Sequence, residues 1–130
     1  MKTNLLILLM MLCVAAECHA QSSDATGLIK VTIMYANEDG ATFDIDYYRE
    51  NHMPMLADLF GNAMVKYEID QGVRGRTPED ALPYLAIGYL YFNTVAEYEQ
   101  AFGPNADQIL GDIPNYTNVR PTVQISNVIK

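Results

Sequence analysis

The stretch DYYRENHMP, residues 46–54, places Tyr47, Tyr48, Asn51 and His52 within two helical turns of one another. Tyrosine, histidine and carboxylate are the side chains that move protons, and histidine, with an unperturbed pKa of about 6.5, serves as base or acid at neutral pH. On a helix Asp44, Tyr48 and His52 recur at i, i+4 and i+8 and share one stripe, with Tyr47 and Asn51 as a neighbouring pair. His52, Tyr48 and Tyr47 are therefore candidate acid–base residues, and Asn51 is a candidate substrate contact. The same spacing also suits plain packing, because a helix histidine near a proline can bond a freed carbonyl and paired tyrosines often fill a core or an interface. Spacing alone leaves both readings open.

Three further places carry polar chemistry. Lys66 and Glu68 stand at i and i+2 on one strand face, among the polar residues of the open sheet face; the spacing suits a pocket acid–base pair with Glu68 touching substrate, but such a pair is more often a solvated edge. In PNYTN, residues 114–118, Tyr116 can shield a pocket or simply pack, while Asn115 and Asn118 are expected to satisfy local backbone groups. GVRGR, residues 72–76, lacks the helix context of a phosphate loop. Its Arg74 and Arg76 can meet a carboxylate or solvent.

Residues 1–20 read as a cleaved secretory signal peptide: Lys2, an apolar run from Leu5 to Ala16, then Cys18-His19-Ala20 before Gln21. The run is well short of the roughly 20 residues that span a bilayer. Glu17 before Cys18 and Leu12 before Cys13 do not suit lipid modification, so free export to the periplasm or outside the cell is expected. Cleavage removes both cysteines and leaves His52 as the only histidine. Disulfides and a clustered Cys/His zinc site are then excluded, and no loop shows alternating acidic ligands. Lys2 and Glu17 leave together, so the net charge stays at -8. Nucleic acid and anionic membranes are unsuited partners.

These residues need elements to hold them. Residues 21–28 are small and polar and read as a flexible leader, followed by one domain over 29–130. LIKVTIMYA alternates as a half-buried strand. FDIDYYRENHMPMLADLF has helical spacing with Thr42 or Asp44 as cap, and Pro54 should kink or interrupt it near His52. AMVKYEIDQGV is a second strand, YLAIGYLYF a third that is apolar at both parities, TVAEYEQAFG a helix capped by Thr94, and VRPTVQISNVI the last strand. The order β-α-β-β-α-β is that of the ferredoxin-like α+β plait. Two helices cover one sheet face, so the apolar third strand predicts a second copy on the other, giving a dimeric α+β barrel. A cavity between sheet and helices is expected.

FDIDYYRENHMPML after a strand and an NEDG turn, then GDIPNYTNV before the last strand, resemble the EthD family over about residues 29–130. The resemblance implies a homodimeric α+β barrel, with relatives that include isomerases, decarboxylases and cofactor-free monooxygenases. Members are often labelled reductases without a defined reaction. By motif it carries over Tyr47, Tyr48, His52 and Pro54, with Tyr35 at the end of the first strand as a pocket residue. An exported member departs from the expected cytoplasmic setting and meets little reduced nicotinamide, and the chain lacks a dinucleotide fingerprint. Haem ligation by His52, as in distant barrel relatives, is the minor alternative.

Two functions follow as expectations. One is a cofactor-free enzyme acting on a small apolar, aromatic or lactone-like molecule, with His52 as acid or base and Tyr48 or Tyr47 orienting it. The other is a non-catalytic protein that binds a hydrophobic ligand in the same cavity.

Overall fold

The computed structural model describes residues 24–130. The expected signal peptide, residues 1–20, and the first residues of the expected leader lie outside this range. Strand β1 (Ile29–Ala36) leads into a helical segment made of α1 (Ile45–Tyr47), a π-helical turn (Tyr48–His52) and α2 (Met53–Phe60). Strands β2 (Met64–Gln71) and β3 (Tyr84–Phe92) follow, then α3 (Val95–Phe102), α4 (Ala106–Asp112) and β4 (Thr122–Asn127). The four strands form one antiparallel sheet in the order β2-β3-β1-β4, the ferredoxin-like α+β plait.

Alternation along the strands decides which side chains meet the helices. Val31 and Tyr35 of β1 and Ala86, Leu90 and Phe92 of β3 are buried on the helix side, against Met53, Leu56 and Phe60 of α2 and Ile109 of α4. The opposite parity faces away from the helices, and there the strands carry a polar–aromatic network. The Tyr91 hydroxyl donates to Glu68 at 2.7 Å and the Tyr89 hydroxyl donates to Asp70 at 2.8 Å. Lys66 lies 4.5 Å over the Tyr91 ring and also donates to Glu68 at 3.0 Å.

The caps follow from side-chain chemistry. The Asp44 carboxylate accepts from Tyr47 N–H at 3.0 Å, and the Thr94 hydroxyl accepts from Glu97 N–H at 3.1 Å, each satisfying an orphan donor of a helix's first turn. Pro54 does not break the helix. It stands in the first turn of α2, and the turn before it widens so that Met53 N–H reaches the Tyr48 carbonyl. A five-residue π-type bond is thus the adjustment to the missing proline donor, and such turns recur at functional sites.

The leader is not wholly free of the domain. From residue 24 it forms a turn in which Gly27 N–H donates to the Val128 carbonyl at 2.7 Å and Val128 N–H donates to Leu28 at 2.9 Å. Gly27 adopts φ 86°, a conformation open to glycine, and this closes the turn.

Candidate active site

The π-helical turn delivers His52 into the interior at 3% exposure. The Tyr48 ring lies nearly parallel to the imidazole, with centroids 5.5 Å apart and planes 17° apart, as the i, i+4 spacing predicts. Each ring nitrogen has a partner from the far end of the chain. Nδ1 lies 2.8 Å from Asp112 Oδ2, at the end of α4, and Nε2 lies 3.3 Å from the Tyr116 hydroxyl. The Tyr116 hydroxyl in turn lies 2.7 Å from that of Tyr35, at the end of β1.

Asp112 is held from several sides. The Tyr47 hydroxyl donates to Oδ1 at 2.8 Å, and Asn115 Nδ2 donates to the same oxygen at 2.9 Å. Partial burial pushes the carboxyl up, but the hydrogen bonds from Asn115, His52 and Tyr47 outweigh it and hold the carboxyl below its ordinary range. His52 is also lowered, by burial, with Asp112 opposing in part. The pair at neutral pH is therefore an ionised Asp112 and a neutral His52. The carboxylate accepts from Nδ1–H and Nε2 is left as an acceptor.

That tautomer fixes the direction of the chain beyond it. Tyr116 donates to Nε2, so Tyr35 donates to the Tyr116 oxygen. Burial raises the pKa of both Tyr35 and Tyr116, which keeps them as hydroxyls.

Tyr35 and His52 line an apolar cavity of about 90 Å³, walled by Leu56, Phe60, Leu90, Phe102 and Ile109 and opening beside Leu110 and Val123. No lysine or arginine lines it. A larger depression of about 600 Å³ lies outside, between residues 42–45 and 114–118, open to solvent; Tyr116 lines it, and His52 and Tyr35 do not. The enclosed cavity is the one that His52 and Tyr35 line. Among the described residues no group of three or more His, Cys, Asp or Glu is placed to hold a metal ion.

Of the residues singled out in the sequence, the structure gathers Tyr35, Tyr47, Tyr48, His52 and Tyr116 around one point. Tyr48 does not line the cavity: its hydroxyl is buried without a hydrogen-bond partner and rests on Gly88 of β3. Asn51 is exposed. Glu68 stands on the opposite face of the sheet, bonded to Tyr91 and Lys66. The register explains this, because Glu68 pairs with Tyr89 on the outward parity while Tyr35 pairs with Ala86 on the inward one. Arg74 and Arg76 are exposed.

Asn118 does satisfy backbone groups, accepting from Thr42 N–H and donating to the Gly40 carbonyl at 2.9 Å each. Asn115 departs from that expectation by turning to Asp112 and Tyr47. Asp112 itself is the functional residue that reading the sequence missed. A lone interior histidine requires an orienting acceptor, and the GDIPNYTN segment holds a carboxylate four residues before Tyr116, which is the signal that was available.

The EthD domain pattern matches residues 38–119. An EthD-like protein of Ralstonia eutropha JMP134 shares 34% identity, with 81% of this chain and 95% of that chain covered and a TM-score of 0.77. An EthD family protein of Bacillus halodurans C-125 shares 14% identity over 77% of this chain and 97% of that chain, with a TM-score of 0.51, a likeness of fold alone. No functionally curated protein matches the chain.

Proposed function

The chain belongs to the EthD family, and from that premise we propose that it is a small-molecule enzyme transferring a proton on a neutral, largely apolar compound, with His52 as the base. The observation that carries this reading is the chain Tyr35–Tyr116–His52–Asp112, in which the unprotonated Nε2 accepts from Tyr116 and the imidazole lines an apolar cavity. An acidic O–H or C–H of the substrate displaces the Tyr116 hydroxyl from Nε2 and is presented there. Asp112 stabilises the imidazolium that forms, and the Tyr35 hydroxyl, which lines the cavity, turns toward the oxygen on which charge develops.

The substrate is neutral on this reading, since an anion in the cavity would find no cation and would lie close to ionised Asp112. A phenol, ketone or lactone meets these demands. The reaction is of the isomerase, lyase or oxygenase type and calls for no cofactor. Export to the periplasm or beyond and assembly as a homodimer complete the proposal.

The test is turnover of neutral phenols and lactones by the purified chain and by His52→Gln, with folding checked by circular dichroism. A base of this kind contributes roughly 10²–10⁴-fold, so a fall of at least about 10² in kcat is expected. Unchanged turnover in a folded variant removes His52 from the chemistry. A binding-only role is favoured by the near-complete enclosure of His52, and a ligand that copurifies in native mass spectrometry without being turned over would establish it.

A further inference from the structure

The cavity beside His52 is about 90 Å³, whereas small-molecule sites commonly measure about 300–1,000 Å³. Since His52 is only 3% exposed, a ligand reaches Nε2 only if a wall moves. Two walls are fixed. β1 and β3 are hydrogen-bonded to strands on both sides, and α2 is tied down by buried Met53, Leu56 and Phe60. The remaining walls are α3, through Tyr98 and Phe102, the stretch of Pro121 and Val123, and the segment 103–115, in which α4 lies between two 3-10 turns; α4 supplies Ile109 and Leu110, and the turn after it Ile113.

The polar ties of this segment are few and concentrated. Among the described residues, its hydrogen bonds to the α1–α2 side all run from Asp112 and Asn115 to His52 and Tyr47. Its remaining bonds are to near neighbours, Asn105 to the Ala101 carbonyl at one end and Tyr116 and Thr117 to the Ile113 carbonyl at the other. Gly111 adds a second, independent sign. It sits in helical backbone, and a Cβ there would meet nothing within 4 Å, so neither packing nor a positive φ calls for glycine. Glycine in a helix weakens it relative to alanine. Beyond the segment the chain is pinned again, by the pairing of Phe43 with Thr117 and by the Asn118 bonds. Leu110, 54% exposed, lies at the cavity mouth where such a wall would part from Val123.

We propose that residues 103–115 form a lid over the cavity and that Asp112 is both its latch and the residue that positions His52. Opening the lid to admit a ligand then releases Nδ1, and closing it restores the tautomer whose Nε2 faces the ligand. The base is assembled only around bound substrate, the usual logic of lid closure. This consequence rests on the proton-transfer reading above.

The test compares the purified wild-type chain with Tyr47→Phe, which removes one latch bond, and with Gly111→Ala. Amide hydrogen exchange reports α4, and ¹⁵N NMR reports the His52 ring. Loss of a hydrogen bond to a charged carboxylate should speed α4 exchange by about tenfold or more, with α3 and β1 unchanged. The His52 signals should move in step from one tautomer toward a mixture. The glycine replacement should slow α4 exchange. If α4 exchanges together with α3 in all three proteins, or the tautomer ignores Tyr47→Phe, the lid is wrong. Neither readout involves turnover, so a rigid α4 leaves the proton-transfer reading standing, and an inactive but latched protein does the reverse.

Discussion

At the scale of single residues, His52 and Asp112 are both shifted downward, and the signs have a shared consequence. Burial lowers His52, so below a pH of about 6.5 the unfolded chain takes up a proton that the folded chain still refuses. Stability present above that pH is lost as the pH falls toward the folded value. Asp112 behaves alike but lower: its hydrogen bonds keep it ionised, and their contribution fades as the pH falls from about 4 through the folded pKa. The Tm should therefore drop on acidification from pH 7 to pH 5, and His52→Gln should flatten that limb while leaving the Asp112 limb below it. Thermal melts across this range decide the matter, and equal slopes in the two proteins would mean that His52 is not held neutral by burial. For activity the same shift keeps the base unprotonated, so the acid limb of kcat/KM should lie below about pH 6.5.

At the scale of elements, the contact between the π-helical turn and β3 joins two residues that make sense only together. The Tyr48 hydroxyl is buried and unpartnered, which costs about 1–3 kcal/mol, and a Cβ added at Gly88 would overlap that oxygen. Tyr48→Phe should raise the Tm by several degrees, while Gly88→Ala should cost about 1–3 kcal/mol by overpacking. In the double variant the clash is eased, so the two effects should couple by roughly 0.5–3 kcal/mol in a denaturation cycle. Strict additivity would show that the residues do not press on each other. Much of this layer was legible in the sequence. The parities of β1 and β3, the Asp44 and Thr94 caps, and the stacking of Tyr48 on His52 all follow from local spacing. What local spacing does not hold is the response to Pro54, where a break and a widened turn satisfy the same missing donor and tertiary packing selects the turn. Nor does it hold the His52–Asp112 pair, whose partners are 60 positions apart. Glu68 lies on the face away from the helices, bonded to Tyr91 and Lys66; parity separates it from Tyr67, and the packing of the helices sets which parity faces the cavity.

At the scale of the whole molecule, the face of the sheet away from the helices decides whether the chain acts alone. Met34, Leu85 and Ile87 are only partly covered there, beside the Tyr89–Asp70 and Tyr91–Glu68 bonds, with Lys30 and Lys66 over the two rings. Such a face carries both apolar surface and paired charges of both signs, so a two-fold axis can lay it on itself without leaving a lone charge buried. The net charge of -8 opposes that approach through repulsion between copies, and salt screens it. Light scattering should find a dimer at micromolar concentration that tightens as salt is added. Ile87→Asp, which places an unpaired carboxylate in the middle of this face, should give a folded monomer with a lower Tm. A wild-type chain that stays monomeric at every salt concentration would refute the closed barrel. It would leave the His52 site intact, because every group in that chain of hydrogen bonds comes from one protomer.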